Sequence, residues 1–558
     1  MVREKKEKKE KKESFMQGVA AMMLSQILIK LLGLVYNWYL TVKPGFGDEG
    51  NAIRSAGYSI YTLLFTISSI GVPNAIAKMV ATQTSIGDYK GAHRIFKVAL
   101  ATFSVIGLMG SAILFFGAHY ISNYMIKIPE AEMTLVALSP AIFFVAITCV
   151  FRGYFNGRDS LKTTARSQSL EQISKTVFTI LIVDLAAMLF GNVTIMAAGA
   201  NLATTVATFS SLLYLFVYYR FRRKEIKEEL KNSIPNSTYR RKRGSQIVKD
   251  ILFVSIPMSL SSILSSINGN VDTVTVVRGL ETYLSHDLAM KQYGILSGKV
   301  ATLSTLPLSF NIAFATALVP AISAAKAKGD EQTIQKRISF SILAAIIIAL
   351  PCMVGLMIFA QPILDLLFPN VNQGAFILQM SSLAILFIAL EQTINGSLQG
   401  LGKIFVPAIA LTCGVVLKII LNLVLVRIPT LGAAGAAIAT ASCHLLACII
   451  SASVLRKNVE LNIQFGRYVI KPVIATGMMG VLSYTTYLLL NSFISPNIAT
   501  IFAIGIAVFV YVILILFLKV FTKEEIFMIP YGTKLYKLLE KTGMYQQGKR
   551  FKTKGLKD

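Results

Sequence analysis

Seven ionisable residues lie deep inside long apolar stretches of this sequence: Lys30, Lys175, Asp184, Asp272, Lys299, Glu391 and Lys418. Such groups are costly at membrane depth and face either a cavity or a partner. Arg54, Arg278 and Arg427 add cations at the ends of neighbouring stretches. A lysine ammonium is a compact charge well suited to a phosphate, so the basic excess predicts an anionic ligand, with pyrophosphate on a lipid carrier the natural candidate. Lys30 and Lys299 have no acidic residue at i±3 or i±4 and are read as cavity cations. Lys175 and Lys418 have Glu171 and Glu391 as competing structural partners. For the three arginines, snorkelling to the headgroups competes with a site role. Asp184, Asp272 and Glu391 are the candidates for coupling a monovalent cation.

Helical spacing groups polar residues around these charges. Lys30 shares a face with Gln26, Gly33 and Asn37, and Lys175 with Gln168, Gln172 and Thr179. Ser255, Ser259, Ser262, Ser266 and Asn270 form a further stripe. Stripes of this kind wall a hydrated cleft or let helices pack closely.

The elements that must position these residues are membrane helices. The sequence is 54% hydrophobic and 15% charged, with a mean hydropathy of +0.62. A bilayer core needs roughly 20 apolar residues per helical crossing. Fourteen segments qualify, near 15–40, 55–82, 98–118, 133–156, 167–189, 194–219, 250–277, 294–325, 338–360, 375–400, 404–426, 432–455, 472–490 and 498–518. With the start placed inside, alternate loops divide 43 Lys/Arg inside from 6 outside, of 55 in total. That is the positive-inside pattern with both termini cytoplasmic. It accounts for the net charge of +27 without nucleic acid.

An internal repeat runs through the first twelve segments. Ala198-Gly199-Ala200 and Ala203-Thr204 return as Ala434-Gly435-Ala436 and Ala439-Thr440. Gly153 and Gly157 return as Gly396 and Gly400, Lys175 as Lys418, and Gly87-Asp88 as Gly329-Asp330. The offsets stay between 236 and 243 residues. Six spans per half is an even number, so the two halves share one orientation, which is a parallel repeat with a substrate site between lobes. The expected fold is therefore an all-α polytopic membrane protein of fourteen helices. Residues 1–14 form a basic tail, 15–219 a first six-helix lobe, 220–249 a basic linker and 250–455 a pseudo-symmetric second lobe. Residues 456–521 hold two further helices, and 522–558 form a basic tail read as an anchor on anionic headgroups. Prolines at Pro73, Pro257, Pro307 and Pro320 mark places where helices can bend.

Other chemistries find little support. The five cysteines all fall within spans without a CxxC pair, and the four histidines are scattered, so no metal site, disulfide framework or cofactor is expected. A membrane-embedded glycosyltransferase would need paired aspartates for Mg²⁺-diphosphate or an outer domain with catalytic acids. No DxxxD pair exists, and the outer loops are short.

The 6+6+2 pattern resembles the multidrug/oligosaccharidyl-lipid/polysaccharide flippase superfamily. The segments Ser25-Gln26-Ile27-Leu28-Ile29-Lys30-Leu31-Leu32-Gly33, Ser69-Ile70-Gly71-Val72-Pro73-Asn74 and Leu306-Pro307-Leu308-Ser309-Phe310 are similar to its polysaccharide-transporter branch. So is the stretch from Gly400-Leu401-Gly402-Lys403 to Lys418-Ile419-Ile420-Leu421-Asn422. Within that branch the chain resembles the stage V sporulation protein B group and the MurJ-type lipid II flippases. The resemblance implies a V-shaped pair of lobes around a cationic cavity and a lipid-tail groove beside the last two helices. It implies site roles for Lys30, before Leu31-Leu32-Gly33, and Lys299, upstream of Leu306-Pro307. The basic residue such flippases carry within span two has no counterpart over Leu63–Ile70, leaving Arg54 as its substitute.

The expectation is a flippase of a bacterial cell membrane that moves an undecaprenyl-pyrophosphate-linked glycan, foremost lipid II, to the outer leaflet by alternating access. It would use the membrane potential or a coupled monovalent cation. Its partners would be the anionic lipid-linked glycan, membrane lipids and cell-wall synthesis proteins. Another lipid-linked oligosaccharide (O-antigen, teichoic or capsular type) and a multidrug exporter are the nearest alternatives, though a cation exporter calls for cavity carboxylates.

Overall fold

The computed structural model describes residues 25 and 28–528, except 70, 159–160, 234–241, 328 and 462–463, together with Tyr536. The residues 1–14, Gln26 and nearly all of the basic tail lie outside these. So do the side chains of Pro257, Ser259, Ser262 and Pro320. Among the described residues there are helices and no strands. Among the described residues, eleven helices are long and apolar enough to cross a membrane.

In chain order the main helices are α1 (Leu28–Val42) and α2 (Gly47–Ser85). They continue with α3 (Tyr89–Tyr120), α4 (Glu132–Asn156), α5 (Leu161–Leu189), α6 (Val193–Phe221) and α7 (Gly244–Leu280). Next comes α8 (286–327), in which a π-turn at Leu296–Val300 joins His286–Ile295 to Ala301–Ala327. The rest are α9 (Glu331–Ile358), α10 (Ala375–Gly400), α11 (Phe405–Leu425), α12 (Ala433–Asn458), α13 (Lys471–Asn491) and α14 (Pro496–Phe517).

The repeated sequence landmarks make matching local structures. Gly87 and Gly329 take φ of 79° and 67°, a region that favours glycine. Each is followed by an N-cap aspartate: Asp88 accepts from the Gly91 amide at 2.7 Å and Asp330 from the Thr333 amide at 3.0 Å. The glycine pairs set close helix crossings. A Cβ on Gly153 would stand 2.8 Å from the Pro73 carbonyl oxygen, and one on Gly396 would stand 2.8 Å from that of Ala315. Gly157 meets Ala77 and Val80 on α2, while Gly400 meets Val319 and Ile322 on α8. The helix neighbours also correspond: α2–α4, α3–α4, α4–α6 and α5–α6 in the N-terminal half match α8–α10, α9–α10, α10–α12 and α11–α12 in the C-terminal half.

Three elements depart from expectation. Helix α2 starts at Gly47 rather than 55, with Asp48 and Glu49 in its first turn, where a helix N-terminus favours negative charge. Helix α8 starts at His286 rather than 294. The 220–249 linker contains a helix, Arg223–Lys231, which buries Ile226. Arg158 at the end of α4 holds this helix through an ion pair with Glu229 and donates to the Tyr154 hydroxyl at 2.6 Å.

Candidate functional site

A cavity of about 530 Å³ lies where the two halves meet. Helices α1 and α2 line it on one side, and α7, α8, α10 and α12 on the other. Its walls are rich in hydroxyls and amides. Ser59 and Thr66 of α2 bond Thr273 and Ser266 of α7, each at 2.8 Å, and Thr273 also bonds the Tyr293 hydroxyl at 2.9 Å. The described part of the α7 stripe therefore does both jobs: Ser266 and Asn270 line the cavity, and Ser266 ties the halves together.

Arg54 is the cation in this wall. The early start of α2 places it two turns inside the helix, 6% exposed, rather than at a snorkelling end. Its Nη2 donates to Asn37 Oδ1 at 3.2 Å and to Asn51 Oδ1 at 3.3 Å, while its buried Nε has no partner among the described residues. Lys175 stands behind the same wall. Its Nζ donates to the Tyr58 hydroxyl at 3.2 Å and lies 4.3 Å from the Tyr58 ring centroid and 5.2 Å from that of Tyr36. The expected partner of Lys175, Glu171, instead binds Arg152 at 2.6 Å. Two cations thus sit around two tyrosines that face the cavity.

On the other side Asp272 is the one acidic residue among the cavity-lining residues described. Lys418 binds it at 2.8 Å and Asn422 donates to its other oxygen at 2.9 Å. Lys418 also donates to the Asn268 carbonyl at 2.9 Å. The expected partner of Lys418, Glu391, pairs instead with His444 at 2.6 Å. The equivalent lysines of the repeat anchor differently: Lys418 is held by Asp272 on the first helix of its half, whereas Lys175 donates to Tyr58 on α2, with the ring of Tyr36 on α1 farther off.

The remaining candidates lie away from the cavity wall. Lys299, read from sequence as a free cavity cation, is fully buried in an ion pair with Asp48 at 3.0 Å and donates to the Val371 carbonyl at 2.6 Å. Its acid comes from α2, across the boundary between halves, which spacing along α8 could not reveal. Arg278 is neither in the cavity nor snorkelling. Its Nη2 donates to the carbonyls of Tyr124 and Met125, both at 2.6 Å. Asp184 lies at the far end of α5, bound by Tyr39 and Lys43. Lys30 is exposed and makes no hydrogen bond or ion pair among the described residues. It stands two turns before Asn37 on one face of α1, towards the end that holds the linker.

These contacts form a seal at the end of the cavity opposite the linker. The Trp38 indole donates to the Leu367 carbonyl at 2.7 Å, and Asn37 donates to Thr302 at 3.3 Å. His286 bridges Glu281 at 2.7 Å and Glu130 at 3.5 Å. Gly294 lets α8 cross α2 so closely that a Cβ there would lie 1.8 Å from the Asp48 carbonyl oxygen.

A family model described as polysaccharide biosynthesis protein matches residues 15–326, more than half of the chain. The chain belongs to that family. A second model, MatE, matches residues 257–424. Stage V sporulation protein B of Bacillus subtilis (strain 168) is 26% identical over 522 residues, covering 93% of this chain and 98% of that protein. Lipid II flippase MurJ of the same organism is 25% identical over 442 residues, covering 76% and 79%. A solved structure of lipid II flippase MurJ in an inward closed conformation shares the fold, with a TM-score of 0.64 at 17% identity, covering 88% of this chain and 97% of that one. The chain is thus a transporter of the multidrug/oligosaccharidyl-lipid/polysaccharide superfamily and not an enzyme.

Within this family member, sequence reasoning missed three kinds of residue. Tyr36 and Tyr58 carry no charge, so a search for ionisable residues does not find them, although Tyr58 lies one turn after Arg54 and therefore on its face. The two histidines His286 and His444 were read as scattered. Both pair with acids, one on a neighbouring turn and one from another helix. Asp48 was hidden because the start of α2 was placed too late.

Proposed function

We propose that the chain is a flippase for an undecaprenyl-pyrophosphate-linked glycan, foremost lipid II, working by alternating access between two lobes of six helices, with two further helices beside them. The observation that carries this reading is the Nε of Arg54, which has no partner among the described residues, buried in the wall of the cavity between halves and backed by Lys175. A buried guanidinium edge left open is a donor set for a phosphate oxygen. Arg54 and Lys175 are the pyrophosphate ligands. Lys30 gathers the headgroup at the linker-side mouth, and Lys299 becomes a ligand when the seal parts from Asp48. Both termini and the 220–249 linker are cytoplasmic, so the sealed end faces outward.

The neutralisation of Asp272 by Lys418 counts against an exporter of cationic drugs, which would need an open carboxylate. The relation to stage V sporulation protein B keeps a second lipid-linked glycan as the alternative substrate. The membrane potential can supply the driving force, since one charge through 100 mV corresponds to about 2.3 kcal/mol. The test is flipping of lipid II in proteoliposomes, read by its accessibility to an added enzyme on the outer leaflet. Faster exposure with wild type than with empty vesicles, slowed roughly tenfold to hundredfold in folded Arg54→Ala, supports the proposal. Equal exposure with and without the protein refutes lipid II as substrate.

A further inference from the structure

Tyr58 stands between a buried cation and the cavity. Lys175 is 8% exposed and is not among the cavity-lining residues described, whereas Tyr36 and Tyr58 both are. The Lys175 ammonium is flanked by these two rings, 4.3 Å from the centroid of Tyr58 and 5.2 Å from that of Tyr36. Its Nζ donates to the Tyr58 hydroxyl oxygen at 3.2 Å. The oxygen is thus an acceptor on its inner side, and the phenol keeps its own proton to donate elsewhere. Among the described residues that hydroxyl has no second partner.

Arg54 and Tyr58 are one turn apart on α2, about 6 Å along the helix axis, and both line the cavity. Nη2 of Arg54 is occupied by Asn37 and Asn51, so a guanidinium held in this way serves one phosphate. The phenol is a second, separate donor centre. Hydrogen bonds in series polarise one another, so the ammonium behind Tyr58 strengthens its O–H as a donor. Towards a phosphate oxygen that O–H makes a charge-assisted bond. The charges are matched in the same way. Asp272 on the opposite wall is neutralised by Lys418, which leaves Arg54 and Lys175 as two cations to be balanced. A bridge of two phosphates between lipid and glycan carries two negative charges, and a bridge of one phosphate carries one. A single phosphate would leave one buried cation without a counter-charge, which is costly.

We propose that Tyr58, with Lys175 behind it, is the subsite for a second phosphate, so that the cavity selects lipid carriers linked through pyrophosphate over those linked through one phosphate. Arg54 takes one phosphate, and the Tyr58 hydroxyl donates to an oxygen of the other. Tyr36 covers the second side of the ammonium. The assignment rests on the pyrophosphate reading above and adds to it the residue that counts the phosphates.

Equilibrium binding to the full chain in lipid nanodiscs tests this with two probes of one chain length. They are polyprenyl-pyrophosphoryl and polyprenyl-phosphoryl N-acetylglucosamine, radiolabelled in the sugar. Wild type should bind the pyrophosphate probe about tenfold more tightly. Tyr58→Phe keeps the ring and should weaken that probe about tenfold while leaving the monophosphate probe nearly unchanged. Lys175→Met should erase the same preference, and the double variant should lose no more than the larger single loss. A preference that survives Tyr58→Phe overturns the subsite. So does equal weakening of both probes, which is what a merely structural Tyr58 would give, and so does full additivity in the double variant. Arg54→Ala separates the two claims, because it should weaken both probes. If it does so while wild type shows no preference, the subsite falls and the phosphate site stands. If wild type binds neither probe, the pyrophosphate reading falls and the subsite with it.

Discussion

Arg54 shows how one side chain changes role when the helix around it starts at Gly47 instead of 55. At a helix end it would reach for headgroups. Two turns inside α2 its Nη2 is held by Asn37 and Asn51, and its buried Nε has no partner among the described residues. A hydrogen bond to a charged group contributes about 1.5–3 kcal/mol, so Arg54→Ala should lower the flipping rate roughly tenfold to hundredfold. Arg54→Lys should recover only part, because the planar donor fork is lost. Lys418→Met leaves Asp272 without its cation and should lower stability by about 3 kcal/mol in thermal unfolding. Adding Asp272→Asn should restore most of that loss.

His286 gives a pH dependence with a definite sign. Burial opposes its protonation, but Glu281 and Glu130 outweigh that and raise its pKa above the ordinary histidine value. A raised folded-state pKa means that the bridge is fully present below about pH 6.5, the unfolded value, and is lost as pH rises through the folded one. Wild type should therefore melt at a lower temperature as pH rises through this range, and His286→Asn should flatten that profile. The charged residues themselves were legible in the sequence. Their partners were not, because Asp48, Tyr58, Asp272 and His444 all come from other helices, and intrahelical spacing is blind to those.

At the scale of elements, the repeat landmarks were readable because each has a local cause. Gly87 and Gly329 need positive φ, and the paired glycines of α4 and α10 allow close crossings. The starts of α2 and α8 were not readable. Their first turns are polar, and hydropathy marks only the apolar part of a helix. The crossing at Gly294 belongs to this scale. A methyl group there has no room against the α2 backbone, so Gly294→Ala should push α8 off α2 and separate Lys299 from Asp48. An overpacking cost of about 1–3 kcal/mol is expected, together with a shift in Trp38 fluorescence. Unchanged fluorescence and stability would show that α8 does not depend on this contact.

At the scale of the molecule, the alternation of charge between loops is the clearest sequence signal. Which end of the cavity is sealed could not be read, because closure is made by contacts between halves over 200 residues apart in the chain, as in Asp48–Lys299. Depleting the resident lipid II flippase of a bacterium while expressing this chain tests the central claim most directly, with lipid II exposure on the outer leaflet as the readout. Rescue by wild type, lost in folded and membrane-inserted Arg54→Ala and Lys175→Ala, is the predicted result. Failure of well-expressed wild type to rescue would contradict lipid II as the substrate, and rescue indifferent to both substitutions would contradict the site.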